Sequence, residues 1–184
     1  MKKGFYFLRH GQTDHNLKGI PAGAELDVPL NAKGVEQAHQ VKAIIDNLSI
    51  ETVCYSPLMR AKQTMQIVAA DLDLHHIQVQ ELKECEAAVW LKMNRRGQHL
   101  RSESVQTFFK QVENGLSQVL SFGKSTLVVS HGGVHWALCY LLGVQNHDYV
   151  IDNCTLVHFL PEDEAINACG SRGSCRWSGR CVAP

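Results

Sequence analysis

Phe5-Tyr6-Phe7-Leu8-Arg9-His10-Gly11-Gln12-Thr13 is the stretch whose reading decides the fold. Four apolar residues in succession, bounded by glycine, predict a central parallel strand buried on both faces. Arg9 and His10 arrive where that strand ends. In open α/β sheets, ligands bind beyond the carboxyl ends of such strands. The pattern recurs in Thr126-Leu127-Val128-Val129-Ser130-His131-Gly132-Gly133. Neighbouring strands lie about 4.8 Å apart. If these two pair, His10 and His131 meet over one crevice.

The elements between and around them alternate. Gly11 to Leu17 is expected to start a helix whose first amides face the crevice. Lys18 to Leu30, with Gly19, Pro21, Gly23 and Pro29, reads as a loop. Asn31 is a fair N-cap for a helix with Val35, Ala38, Val41, Ile45 and Leu48 on one stripe. Thr52–Tyr55 is a second strand. Ser56 and Pro57 read as cap and first residue of a helix reaching about Leu72, with Arg60 on its first turn. Ile77 to Gln80 is a candidate third strand, and 81–101 has no clean period, reading as a loop or small cap. Ser104 is the expected N-cap of a strong amphipathic helix carrying Val105, Phe108, Phe109, Val112, Leu116, Val119 and Leu120. A helix from Val134 to Leu142, closed by Gly143, and a strand from Thr155 to Leu160 complete the series. This order predicts an α/β three-layer sandwich, a mostly parallel central sheet with helices on both faces.

The chain of 184 residues is expected to form one domain over 1–161, with a small cap around 85–103. Residues 162–184 are rich in Gly, Ser, Arg and Cys, and a disordered tail is expected there. The formal net charge is zero, which argues against a nucleic-acid binder acting by bulk charge. No run approaches membrane-span length, and the apolar run after Lys2 and Lys3 is too short for a signal-peptide core. A cytoplasmic protein without membrane contact is therefore expected. The seven cysteines include no C-x-x-C pair, so no metal site is expected.

Arg9, Arg60, His10 and His131 around one pocket make a cationic trap suited to a phosphoryl group, whose oxygens match the guanidinium fork. At this point the residues resemble a known family, the histidine phosphatase superfamily, in the branch that includes phosphoglycerate mutases. The resemblance rests on Leu8-Arg9-His10-Gly11-Gln12-Thr13 with Asn16, and on Pro29-Leu30 with Gly34, Gln37 and Ala38. It continues through Ser56-Pro57-Leu58-Met59-Arg60-Ala61-Lys62-Gln63-Thr64, Leu82-Lys83-Glu84 with Trp90, Glu103-Ser104, Ser130-His131-Gly132-Gly133 and Asn153-Cys154-Thr155. It covers about residues 4 to 160. It departs from the family's pattern at His15, often aromatic there, at Ala88, usually glycine, and at Leu91, usually acidic.

The resemblance implies a phosphoglycerate mutase-like fold and a phosphohistidine intermediate on His10. Arg9, Arg60 and His131 would bind the phosphoryl oxygens, and Glu84 would act as acid and then base. Gly11, Thr13, Asn16, Ala22, Gly23 and Gly132 would contact the substrate. No metal or other cofactor is implied, because the cations supply the charge stabilisation. Glu84 and His131 are only 47 residues apart, where the mutases carry a longer insertion that shields the site from water. That favours a phosphatase acting on a small-molecule phosphomonoester, or on a bulkier or protein-borne one. A mutase-like phosphotransferase and a non-catalytic phospho-ligand module are the alternatives. Lys92, Arg95, Arg96 and Arg101 are either contacts for a second acidic group or a solvated basic loop. Nothing in the sequence indicates an oligomeric state.

Overall fold

The computed structural model describes residues 4–122, 125–145, 147–161 and 177–182. Its elements are β1 (Phe5–Arg9), α1 (Asp14–Leu17), α2 (Ala32–Ile45), β2 (Thr52–Tyr55), α3 (Met59–Val68), β3 (His75–Gln78), α4 (Ala87–Arg95), α5 (Glu103–Ser121), β4 (Thr126–Ser130), α6 (Gly132–Leu141), β5 (Leu156–Pro161) and β6 (Trp177–Cys181). The strands form one sheet in the order β3-β2-β4-β1-β5-β6.

Alternation along β1 creates the layers. Phe5 and Phe7 point to one face and join a core with Phe109, Trp136 and Leu138 from α5 and α6. Leu8 points to the other face and packs with Ala38, Val41 and Ile45 of α2 and Ala61 and Met65 of α3. Side chains two apart share a face, so one short strand serves two cores. The expected three-layer sandwich is the observed one. β1 and β4 pair in parallel, with Arg9 opposite Ser130, and β2 pairs with β4 on its other side. The ends carrying Arg9-His10, Ser56 and His131 therefore lie side by side. β5 runs antiparallel to β1: after α6 the chain comes back to the cleft end of the sheet, where Thr155 O accepts from Arg9 N–H, and β5 starts from there.

Several local expectations differ. Val35 is exposed on α2, and Gly34 takes its place on the buried stripe. A Cβ on Gly34 would overlap Gln12 O, and one on Gly11 would overlap Gly34 O. Gly11 thus serves close packing on α2. The 81–101 region holds a true helix, α4, docked through buried Val89 and Met93. α5 is capped at Ser102, while Ser104 lies in its first turn and accepts a hydrogen bond from Lys92 Nζ at 2.9 Å. Part of the segment expected to be a disordered tail is an edge strand: β6 pairs antiparallel with β5, and Trp177 is buried against Phe5. Residues 162–176, 183 and 184 lie outside the described residues. Among the described residues, no helix is long and apolar enough to cross a membrane.

Candidate active site

A cleft of about 390 Å³ opens over the ends of β1 and β4. Its floor carries Arg9, His10 and Arg60, and its wall carries Glu84, Gly132 and Gly133. Asn16, Ala22 and Gly23 line it, as do Ile20, Pro21 and Trp90 near the mouth. Gly11, Thr13 and His131 are not in its lining.

His10 is buried at the end of β1, and its N–H donates to Ser130 O at 2.9 Å. Its ring Nδ1 lies 2.7 Å from Gly11 O. A carbonyl can only accept, so Nδ1 carries the proton and Nε2 keeps its lone pair. Burial first, and the Arg9 and Arg60 charges after it, hold His10 well below the usual histidine range. The ring is therefore neutral at neutral pH. A left-handed turn at Cys154, φ +56°, wraps this strand end. Cys154 N–H donates to Arg9 O at 3.0 Å, and Asn153 Nδ2 donates to His10 O at 3.0 Å and Asn16 Oδ1 at 3.1 Å. Such strain in a non-glycine residue is concentrated at functional sites.

His131 packs beside His10, with ring centroids 5.1 Å apart. Its Nε2 lies 2.7 Å from Ser56 Oγ, which also accepts from Leu58 N–H at 3.3 Å. With the Ser56 hydroxyl donating to Nε2, His131 Nδ1 is left as a donor; with Nε2 donating to Ser56, Nδ1 keeps its lone pair. Ser56 is thus not the expected helix cap, since α3 begins two residues later behind Leu58. It orients His131 instead, a role that only the pairing of β2 with β4 reveals.

Two buried polar atoms, Arg9 Nε and His131 Nδ1, find no hydrogen-bond partner among the described residues. Neither Arg9 nor Arg60 makes a close ion pair among the described residues. Arg60, 2% exposed, spends one N–H on Gly23 O at 2.8 Å and another on Leu26 O at 3.0 Å. Arg9 is held by Ile151 O. Buried cations without a contacting carboxylate cost several kcal/mol. An entering dianion would offset that cost and satisfy Arg9 Nε, and His131 Nδ1 in the tautomer that donates. The backbone amides expected to help are already engaged: Gly11 N–H on Thr64 Oγ1, Gln12 N–H on Gln37 Oε1 and Thr13 N–H on Asn16 Oδ1. Thr13 is the buried N-cap of α1.

Glu84 accepts from Gly133 N–H at 3.1 Å and Cys85 N–H at 3.0 Å. Burial raises its pKa, against the pull of those two amides and of Arg60 and Arg9. A proton is therefore retained further toward neutrality than on an exposed glutamate. The basic residues of 92–101 stay out of the cleft: Lys92 is tied to Ser104, and the Arg96 guanidinium stacks 4.9 Å from the Tyr149 ring centroid.

The buried neutral histidines set a pH dependence of stability. In the unfolded chain His10 and His131 take up protons below about pH 6.5, whereas the native rings refuse them. Stability therefore falls as pH drops below 6.5, by up to about 3 kcal/mol per pH unit for the pair. Glu84, raised, works the other way: the native carboxyl takes up its proton before the unfolded one does, which offsets part of the loss as pH falls through its raised value. Urea midpoints measured between about pH 5 and 7 should fall steadily toward acid.

The model of the histidine phosphatase superfamily (branch 1) matches residues 5–168. The adenosylcobalamin/alpha-ribazole phosphatase of Escherichia coli K12 is 29% identical over 150 residues, covering 70% of this chain and 73% of that protein. The uncharacterized phosphatase PhoE of Bacillus subtilis 168 is 30% identical over 141 residues, covering 71% and 72%. The agropine synthesis reductase of Rhizobium rhizogenes is 33% identical over 170 residues, or 84% of this chain, but the match spans only 39% of that longer protein. A phosphoglycerate mutase of Bacillus anthracis Sterne shares the fold, with TM-score 0.74 at 17% identity over 98% of this chain and 92% of that one. The family match over most of the chain and the site built at the ends of β1 and β4 agree: this chain belongs to the histidine phosphatase superfamily.

Proposed function

We propose that the chain hydrolyses phosphomonoesters through a phosphohistidine on His10, without a metal in the reaction. The observation that carries this reading is the bare Nε2 of a buried neutral imidazole, flanked by two guanidinium groups. The Nε2 lone pair attacks phosphorus, and the bond to the leaving oxygen breaks as Glu84 gives that oxygen its proton. Water then attacks the phosphohistidine and passes a proton to the Glu84 carboxylate. The N–P bond breaks and its electrons return to Nε2. Arg9 and Arg60 hold the phosphoryl oxygens throughout, and His131, which lies behind the lining of the open cleft, turns its Nδ1 to them as the dianion enters. Asn16 and the Ala22-Gly23 backbone border the same space.

Two features support hydrolysis over phosphoglycerate isomerisation. Among the described residues, Arg9 and Arg60 are the only Lys or Arg that line the cleft, which offers little to a second anionic group. Ile20, Pro21 and Trp90 near the mouth suit a leaving group with an apolar or aromatic face. The phosphatase names of the two E. coli and B. subtilis relatives point the same way.

A phosphate-release screen over aromatic, nucleoside and sugar monoesters, run in chelator, tests this reading. Release should be strongest for leaving groups with an apolar face. Activity that needs added Mg²⁺, or isomerisation of phosphoglycerate without release, would overturn it.

Gly133 offers a further check. A Cβ there would overlap Glu84 Oε1 and lie 2.9 Å from Cys85 Sγ. A Cβ on Gly132 meets only ordinary contacts, the nearest being Arg9 Nε at 3.6 Å. Gly133→Ala should therefore lower kcat/KM by about 10²-fold through loss of the acid's position, and Gly132→Ala far less. Both proteins should stay folded, since alanine favours the helix.

A further inference from the structure

Where α6 packs on Phe7 of β1 and Phe159 of β5, the structure brings together His135, Cys139 and His147. Their donor atoms lie within 4.8 Å of one another. His135 and Cys139 stand one helical turn apart and are fully buried, and His147 comes from the loop after α6. We propose that these three side chains bind a zinc ion.

Two of the separations are near those that tetrahedral zinc needs. Zn–N bonds of about 2.0–2.1 Å and Zn–S bonds of about 2.3 Å require N···N and N···S separations of about 3.3 and 3.6 Å. His135 Nε2 lies 3.1 Å from His147 Nε2 and 3.7 Å from Cys139 Sγ; the sulfur is also 4.0 Å from His135 Nδ1, over the ring, so coordination requires the Cys139 side chain to swing to the Nε2 side. The tautomer fits as well. His135 Nδ1 sits 3.0 Å from Tyr149 O, so that nitrogen carries the proton and Nε2 keeps its lone pair, with His147 Nε2 3.1 Å away. A backbone carbonyl on the far nitrogen is the arrangement that orients metal-bound histidines. Phe7 and Phe159 pack on the His135 ring, fixing its plane. On the other side Gly179 of β6 lies against His147: a Cβ there would approach the ring to 3.0 Å. Glycine thus leaves room for the imidazole under the edge strand.

A thiolate and two imidazoles select a borderline ion such as zinc over hard cations. Binding would release the Cys139 thiol proton to solvent and leave one coordination position for water. The ion would tie α6, the following loop and the β5–β6 edge together. It takes no part in phosphoryl transfer, and it stands or falls independently of the proposed reaction.

The test uses the full chain, stripped with chelator and dialysed, then titrated with Zn²⁺ and separately with Co²⁺. One tightly bound ion per chain is expected. Cobalt should show thiolate-to-metal charge transfer with tetrahedral visible bands, and zinc should raise the melting temperature. His147→Ala, at a half-buried loop position, should keep its far-ultraviolet circular dichroism and bind at least about 100-fold more weakly. Cys139→Ser should lose the charge-transfer band. No saturable uptake by the unmodified chain would overturn the proposal and leave two imidazoles sharing a proton. Uptake that persists unchanged in both variants would also overturn it, by placing the metal on other cysteines or histidines.

Discussion

His10→Ala is expected to lower kcat/KM for phosphate release by a factor on the order of 10⁵, comparable with loss of the nucleophile in other covalent enzymes. Inorganic phosphate should still bind, because Arg9, Arg60 and His131 remain. The two readouts separate chemistry from the anion trap. In the unmodified protein, acid-stable quenching is unsuitable because phosphoramidates hydrolyse in acid. An alkaline quench during turnover of labelled substrate should trap the label on His10. Full turnover by His10→Ala, or no label at position 10 during rapid turnover, would remove the basis of the mechanism.

Glu84→Gln is expected to cost about 10²- to 10⁴-fold on esters with poor leaving groups, the range for loss of a positioned acid. Aryl phosphates, whose leaving oxygen needs little protonation, should lose less in the first step. The sign of the pH effect follows from burial. The Glu84 pKa is raised, so its acid form is present at low pH and is lost as pH rises through that value. His10, depressed, stays neutral until far into acid. The unmodified protein should therefore lose the first step on the alkaline side, and Glu84→Gln should flatten that limb. Without a carboxylate to receive the proton of water, the variant should also accumulate phosphohistidine from aryl substrates. Equal pH profiles in the two proteins would move the acid to another group.

The layered sheet and the paired histidines were legible because β1 and β4 are apolar runs ending in chemistry, and parallel strands place such ends together. Arg60 and Glu84 came from motif register, and both line the cleft. What escaped depended on tertiary pairing. Ser56 precedes a proline and reads locally as a cap, while its partner His131 is 75 residues away. α4 mixes Val89 and Met93 with polar neighbours and has no side-chain cap. β6 carries a single buried aromatic residue, so pairing with β5, not propensity, makes it a strand. The His135–Cys139–His147 cluster has no sequence spacing that announces it, since its third member depends on the course of the loop.

β6 has one more consequence, for solubility. Removing the chain beyond Pro161 would turn β5 into an open edge with unpaired N–H and C=O groups, next to a Phe5 stripped of Trp177. Such an edge is a template for a neighbouring molecule's strand. Shortened versions of this protein should retain the cleft yet associate through that border, and only the version bearing Trp177–Cys181 should stay dispersed as its concentration rises.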